Sequence, residues 1–448
     1  MILKLTRNTD PIWKQKFQNV KKITPEIKKL VTDMMETVDI TSAVGLAAPQ
    51  VGAALRLFVI SYGKLREAFI NPKIVRRGKE TNEIEEGCLS VPCVRGSVNR
   101  ANEIEIDYQD LKGRPKKATL SGYYARIAQH EYDHLSSSFY TDRILDKKNL
   151  YTYKTIKIVF FGTSEFGSIV LKSLIGQKLA GEYEITLVVT APNKPAGRGQ
   201  ESTVSPVKAL ADQFNIPIEV PTTLKNSSDL VNKLKSIEPD FIVLASYGKI
   251  VPKEILEIPK KAPLNVHPSL LPKYRGASPI QSAILSGDKY TGVSVMKMNE
   301  KLDSGDIFGS AHLTIKKTDT SESLSERLAD LGASLTHHVL HILTVSDIKP
   351  KPQSPTGTSY TKILTKEDGF IDWKKPPENL ERMIRAYHPW PGVWSKLRIN
   401  NSPSSAKASA GRELRIKLLP NRMVQLEGKE PVKLDDFKRG HSDFKLNW

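Results

Sequence analysis

The sequence predicts a multi-domain protein: an α+β domain, then a doubly wound (Rossmann-like) α/β domain, then a short strand-rich end. Three observations carry this. The chain has 448 residues, more than one core covers when domains run to about 100 to 200 residues. Between residues 20 and 148 a helical apolar stripe gives way to turn-bounded strands and then to a second helix. From about residue 155 apolar strand-like runs alternate with helical ones, the pattern of a parallel sheet with crossover helices.

Composition narrows the class. The chain is 39% hydrophobic and 26% charged, as globular proteins are, and it has no stretch of about 18 apolar residues that could span a membrane. Its first residues, MILKLTRNTD, lack a signal-peptide core, so the expectation is a cytoplasmic protein with no membrane partner. Two cysteines, Cys88 and Cys93, exclude a disulfide framework and leave room for a thiol kept reduced for chemistry. Cys93 reads as a small buried residue. The 67 basic and 49 acidic side chains give a net charge of +18, which points to an anionic partner such as nucleic acid.

In the first element, KKITPEIKKLVTDMMETVD, the residues Ile27, Leu30, Val31, Met34 and Met35 fall at helical spacing and form a core-facing stripe. GLAAPQVG, Gly45 to Gly52, is a glycine-bounded turn before the strand LRLFVI, and EEGCLSVP follows as a second turn-rich element. EIEIDY and KKATL suit strands of a mixed sheet. GYYARIAQHEYDHL then forms a helix with His130 and His134 four residues apart on one face and Glu131 beside them. Two imidazoles one turn apart can hold one metal, and the neighbouring carboxylate can take a proton from water held there. The metzincin extension is absent, because Ser137 and Tyr140 stand where its Gly and third His would be. Cys88 can supply an upstream thiolate instead.

GLAAPQVG, EEGCLSVP and QHEYDH, in that order, resemble the peptide deformylase family over about residues 1–150. The resemblance implies a divalent metal held by Cys88, His130 and His134, with Glu131 as general base and then acid. It also implies that Gln50 and the backbone N–H of Leu89 donate to the oxyanion, and that Gly45 and Arg95 hold an extended peptide. A Cys, His, His set suits iron(II), zinc, nickel or cobalt, iron(II) being the expectation from the family. Where the family continues HLxG, this chain has His134-Leu135-Ser136-Ser137-Ser138.

In the middle region, IKIVFFGTSEFGSIVLKSLI is a strand, turn and helix, and the alternation repeats through EITLVVT, SPVKALADQF, DLVNKLKSI and DFIVLASYG. Gly162 and Gly167 have P-loop spacing, but Ser168 replaces the phosphate-binding Lys and no GxGxxG is present, so neither ATP nor NAD is supported. The glycines serve tight turning and close backbone approach. A short apolar strand then ends in Asn265-Val266-His267 before a proline-rich loop, the place where open α/β sheets bind ligands.

NVHPSLLPKYRGA, followed by LDSGD, closely resembles the formyl-transfer site of the methionyl-tRNA formyltransferase family, over about residues 155–448. It implies 10-formyltetrahydrofolate as donor, initiator methionyl-tRNA as acceptor, and Asn265, His267 and Asp303 as catalytic residues, His267 being held by Asp303. Ser269, Leu270, Leu271 and Pro272 are then substrate contacts. The loop Thr190 to Ala211 resembles the family's acceptor-stem loop, with Lys194, Arg198 and Lys208 as its tRNA-binding cations.

IKPKPQSPTGTSY reads as linker, 348–366, between a catalytic domain at 155–347 and a C-terminal domain at 367–448. The strand-like pieces LRIN, ELRIKLL and MVQLEGKEPV resemble the same family's tRNA-contacting small β-barrel, OB-like. Residues 396 to 448 carry 12 basic and 6 acidic side chains, about a third of the excess charge. The polar run Asn400 to Gly411 interrupts the pattern, so an abbreviated barrel is expected. The two resemblances together imply a bifunctional enzyme of translation initiation, removing formyl from nascent formyl-Met peptides at the ribosome and adding it to methionyl-tRNA. The rivals are a transferase acting on a nucleotide sugar or glycinamide ribonucleotide, and a fusion in which one half is an inactive RNA-binding module.

Overall fold

The computed structural model describes all residues except 1, 42, 145, 153, 193, 197–200, 400–411, 442, 443, 445, 447 and 448. The chain divides into two compact units, Met1–Ile158 with Lys172–Thr186, and Val159–Leu171 with Leu187–Trp448.

The first unit opens with helix α1 (Pro25–Thr41), followed by strands β1 (Gly45–Ala47), β2 (Leu57–Tyr62), β3 (Leu65–Arg77), β4 (Thr81–Cys88), β5 (Val91–Ala101), β6 (Glu103–Gln109) and β7 (Pro115–Ser121). Helix α2 (Tyr123–His134) and strand β8 (Leu150–Thr152) complete it. The order β1-β2-β3-β6-β7 makes a five-stranded antiparallel sheet, and β4-β5-β8 a separate three-stranded one. Strand alternation splits β2 between two cores. Leu57 and Val59 meet Val31, Met34 and Val38 of α1, whereas Phe58 and Ile60 meet Ala125, Ile127 and Ala128 of α2. Each fully buried side chain of this size contributes about 1.5–3 kcal/mol, so the metal-type motif on α2 is anchored by the apolar residues one turn before it.

In the second region come β9 (Ile156–Gly162), α3 (Glu165–Ala180), β10 (Tyr183–Val189), β11 (Lys194–Ala196), β12 (Glu201–Thr203), α4 (Pro206–Gln213), β13 (Ile218–Glu219), α5 (Ser228–Ile237) and β14 (Phe241–Ala245). The short α6 (Lys253–Leu256), β15 (Ala262–His267), β16 (Arg275–Gly276), α7 (Pro279–Ser286), β17 (Tyr290–Lys297), β18 (Ile307–Thr314) and the long α8 (Ser321–Val345) follow. The main sheet has the order β13-β10-β9-β14-β15-β17-β18. Its direction of growth reverses between β9 and β14, the switch point at which such sheets open a crevice. The expected all-parallel sheet is mixed: β14 and β15 pair parallel, but β17 and β18 add antiparallel. β17 and β18 are joined by the loop 298–306 with no crossover helix, which only antiparallel neighbours allow. At the switch, Gly162 and Gly167 lie so close to the Ala245 carbonyl that a Cβ would come within 2.9 and 2.5 Å of it, which is why glycine is needed there.

Part of the stretch expected to be linker is tied down. β19 (Tyr360–Thr361) pairs parallel with β16, and Lys351 bridges to Ile307. Beyond it lie α9 (Leu380–Ala386), β20 (Val393–Ile399), β21 (Arg412–Leu419), β22 (Met423–Leu426), β23 (Val432–Lys433) and α10 (Leu434–Gly440). The four strands form one antiparallel sheet in sequence order. Among the described residues this end is an open sheet of four strands. Its first and last strands do not pair, and β23 has only two residues to offer. The polar run 400–411 lies outside the described residues.

Candidate active sites

β1 and β4 are the edge strands of their sheets, and both border a cavity of about 390 Å³ lined by Gly45, Gln50, Gly87, Leu89, Arg95 and Glu131 among others. Edge strands leave backbone N–H and C=O groups unpaired. The cavity can therefore take an extended chain on either side.

Cys88 ends β4, and α2 carries His130 and His134 one turn apart, so two independent elements converge. The ligand atoms of these three residues all lie within 4.8 Å of one another, with Cys88 Sγ 3.3 Å from His134 Nε2. Each ring has its other nitrogen occupied. His130 Nδ1 is 2.8 Å from Glu86 Oε2, and His134 Nδ1 donates to the Ser138 carbonyl at 3.1 Å. Both rings thus turn Nε2 towards the thiol, and burial holds His134 well below the ordinary imidazole range, keeping it neutral as a ligand must be. One sulfur and two nitrogens at this separation suit a divalent metal with a fourth position left over. Glu131 supports the fit: it is buried, its Oε2 has no hydrogen-bond partner, and burial pushes its pKa up to about 7.

The other residues expected here have definite places. Gln50 is buried, its Oε1 accepting from Ala47 N at 2.7 Å and its Nε2 lying 3.5 Å from Cys88 Sγ. Leu89 borders the cavity, its carbonyl accepting from Arg7 Nη1 at 3.1 Å. Arg95 borders it too and pairs with Glu85 at 3.3 Å. Gly45 touches Glu131: a Cβ there would come within 2.7 Å of the carboxylate.

In the second region β15 brings Asn265 and His267 to one face, two residues apart. Asn265 Nδ2 donates to Asp303 Oδ1 at 3.1 Å, and Asp303 Oδ2 accepts from Gly276 N at 2.8 Å. His267 differs from the expectation. Its Nδ1 lies 3.7 Å from Asp303, beyond hydrogen-bond range, and its Nε2 donates to the Tyr274 carbonyl at 2.9 Å. A neutral ring donating from Nε2 keeps only a lone pair at Nδ1, so towards Asp303 it can accept a proton but not give one.

Ser269 and Leu271 are buried, and Ser294 Oγ ties them by donating to the Ser269 carbonyl and accepting from Leu271 N. Leu270 borders a pocket of about 250 Å³ with Tyr274 and Thr291, and the Pro272 carbonyl accepts from Ser359 N. Of the three cations expected to meet tRNA, Lys194 starts β11, Lys208 lies in the first turn of α4 paired with Asp212 at 2.9 Å, and Arg198 lies outside the described residues.

Residues 2–150 match the polypeptide deformylase family, 156–340 the formyl transferase family, and 363–417 the formyl transferase C-terminal domain. The methionyl-tRNA formyltransferase of Caldanaerobacter subterraneus subsp. tengcongensis is 37% identical over 305 residues, covering 64% of this chain and 97% of that protein. The chain belongs to the methionyl-tRNA formyltransferase family. The Clostridium acetobutylicum member is 42% identical over 240 residues, covering 54% of this chain and 76% of its own length. A peptide deformylase from Thermotoga maritima is 38% identical, covering 33% of this chain and 99% of its own, with a TM-score of 0.32.

This member of the formyltransferase family thus carries a polypeptide deformylase domain ahead of its transferase domains. Two sets of supporting residues escaped the sequence reading. Glu86 accepts from Arg100 Nε (2.6 Å) and Nη2 (2.9 Å) and from Arg126 Nη1 (2.6 Å), and Arg100 also donates to Asp133 at 2.8 Å. Burial alone would raise the Glu86 pKa, but His130 and Arg100 outweigh it and hold the group well below the carboxylate range. The second set lies in the presumed linker around Gln353. The only sequence cue to Glu86 was its position in EEGC, two residues before the thiol.

Proposed function

We propose that the chain removes the formyl group from nascent formyl-Met peptides and transfers formyl from 10-formyltetrahydrofolate to initiator methionyl-tRNA, in the cytoplasm and close to the ribosome. The observation that supports it most is the pair of convergent sites in one polypeptide: Cys88, His130 and His134 around an unpartnered Glu131, and Asn265 bonded to Asp303.

In the first site a divalent metal, iron(II) in this reading, supplies Lewis acidity that acidifies water and polarises a carbonyl. Glu131 takes the proton of the attacking water and returns it to the leaving amine, and a carboxyl with a pKa of about 7 is suited to both tasks. Gln50 and the Leu89 N–H donate to the oxyanion, each such donor being typically worth about 100- to 1000-fold in rate. The formyl C–N bond breaks, leaving formate and a free amino terminus. Gly45 and the edge strands β1 and β4 hold the peptide extended.

In the second site the methionyl amine attacks the formyl carbon, and collapse of the tetrahedral intermediate breaks that carbon's bond to the folate nitrogen, which takes up a proton and leaves as tetrahydrofolate. The remaining N–H of Asn265 donates to the oxyanion, and Asp303 takes up the amine proton, with His267 Nδ1 beside it as a further acceptor. Lys194, Arg198, Lys208 and the C-terminal sheet, completed as an OB-like barrel in this reading, hold the tRNA backbone. One preparation, assayed both for formate release from a formyl-Met peptide and for formylation of charged initiator tRNA, tests the reading. Either activity missing from the metal-loaded chain removes that half of it.

A further inference from the structure

Gln353 lies in a stretch whose composition marks it as linker, yet its side-chain amide is fully engaged. Nε2 donates to the carbonyls of Asp303 at 2.9 Å and Gly305 at 2.7 Å, and Oε1 accepts from Arg275 Nε at 3.0 Å and Nη2 at 2.6 Å. An amide has two N–H donors and one doubly accepting oxygen. Nothing is left over.

The two segments it joins are those that orient the transferase residues. One is the 303–305 loop, whose Asp303 carboxylate meets Asn265 and Gly276 N. Asp303 sits at φ 44°, a left-handed conformation that aspartate adopts more readily than most residues with a Cβ, though at some cost. Gly305 passes so close to the Lys297 carbonyl that a Cβ would come within 1.7 Å. The carboxylate direction therefore depends on this backbone staying in place, and Gln353 grips the carbonyls of Asp303 itself and of Gly305. The other segment is 274–276, where the Tyr274 carbonyl accepts from His267 Nε2. Its fastening continues past Gln353: Tyr274 N donates to Ser359 Oγ at 2.8 Å, Arg275 Nη1 donates to Tyr360 OH at 3.2 Å, and β16 pairs with β19.

We propose that Gln353 is a positioning residue of the transferase site, locking the Asp303 loop against the Tyr274–Gly276 loop so that the carboxylate stays aligned with Asn265 and with the proton leaving the amine. This rests on the transferase reading above. Gln353→Glu tests it, because it keeps the size of the side chain and the acceptor for Arg275 while removing both donors to the loop. The kcat of formyl transfer should fall about 100-fold, as small misplacements of reacting groups do. The KM values for methionyl-tRNA and for the folate donor should stay within about threefold, since the lost alignment acts on the reaction step. Formate release from a formyl peptide by the same chain should be unchanged, which reports that the first unit is intact, and the unchanged KM values report that the transferase region has kept its fold. Repeating the substitution in an Asp303→Ala background separates positioning from general support. A residue acting through Asp303 has little further effect once Asp303 is gone, whereas a merely structural one adds its full loss. Should Gln353→Glu fail to fold, Gln353→Met carries the same expectations. A wild-type kcat in the variant, a loss confined to KM, or additive losses in the double variant would each overturn the proposal. A wild-type chain that formylates no methionyl-tRNA would overturn the transferase reading itself.

Discussion

His130 Nδ1 lies 2.8 Å from the Glu86 carboxylate, and the same carboxylate is gripped by two buried arginines, Arg100 and Arg126. Partners of this kind fix the tautomer and rotation of a metal-binding ring, and losing one typically costs about 10- to 100-fold in metal affinity. Glu86→Gln should weaken metal binding by that amount, as read by competition with a chromophoric chelator. Glu86→Ala should in addition destabilise the domain by about 3–5 kcal/mol, because it leaves buried guanidinium charge uncompensated. Thermal or denaturant melts of the intact chain measure that difference.

The convergence of Cys88, His130 and His134 could be read from the chain because metal-binding chemistry imposes a spacing: histidines four apart share a helix face, and Cys88 stands in a glycine-marked strand end. Arg100 and Arg126 could not, since they sit on β5 and α2 and reach Glu86 only when the two pack. Gln353 was hidden for the opposite reason. Proline and serine around it signal a solvated tether, and the hydrogen bonds that fasten it run to carbonyls nearly 50 residues earlier. The alternation of elements showed the α/β sheet, whereas the antiparallel addition of β17 and β18 was not legible, because the loop 298–306 carries the LDSGD motif of a site and no signal of strand direction. The histidine in the strand end was legible as a residue, but its bond to the Tyr274 carbonyl in place of Asp303 was not.

Glu131→Gln should retain the metal and abolish deformylation, since Glu131 lies beside the ligand trio without belonging to it. Cys88→Ala removes a ligand and should lose metal and activity together. Metal analysis of the two purified variants, beside formate release, decides this. Stoichiometric loss of metal from Glu131→Gln would show that the carboxylate is a ligand.

Gly45→Ala places a Cβ 2.7 Å from Glu131 Oε1 and 2.9 Å from its Cγ. The glutamate is held on a packed helix and cannot retreat without leaving the cavity wall. Formate release should drop about 100-fold through displacement of the base, with the metal content unchanged. Activity near the wild-type level would mean that the carboxylate has room the geometry does not show.

Asn265→Ala and Asp303→Ala should each lower kcat for formyl transfer by about 100-fold or more, as loss of an oxyanion donor or a proton acceptor does. Their effect on binding of uncharged tRNA should be small, because Asn265 is buried near the end of β15 and the Asp303 carboxylate is taken up by Asn265 Nδ2 and Gly276 N. Filter-binding and single-turnover rates on the same preparations separate the two effects. A loss confined to tRNA binding would move these residues out of the reaction.

Two opposing reactions in one polypeptide pose a question of waste, and the edge strands beside the first cavity bear on it. A substrate that joins β1 or β4 as an added strand needs the peptide bond after methionine, whose N–H and C=O pair with the unpaired groups of the edge. The ester of formyl-Met-tRNA has no N–H at that point and brings a bulky polyanion, so it loses backbone pairing and adds a steric and electrostatic burden at once. The missing N–H leaves a partner unsatisfied at a cost of about 1–3 kcal/mol, roughly 5- to 140-fold at about 1.4 kcal/mol per tenfold, and the polyanion adds to it. Deformylation should therefore prefer a formyl-Met di- or tripeptide over formyl-Met-tRNA by at least about 100-fold in kcat/KM. A formyl-Met peptide whose second residue is joined through an ester in place of the amide isolates the backbone contribution from that of the tRNA. It should fall between the two. Equal rates on peptide and ester would show that the peptide N–H is not used, and the protection of formyl-Met-tRNA would then have to come from the polyanion alone.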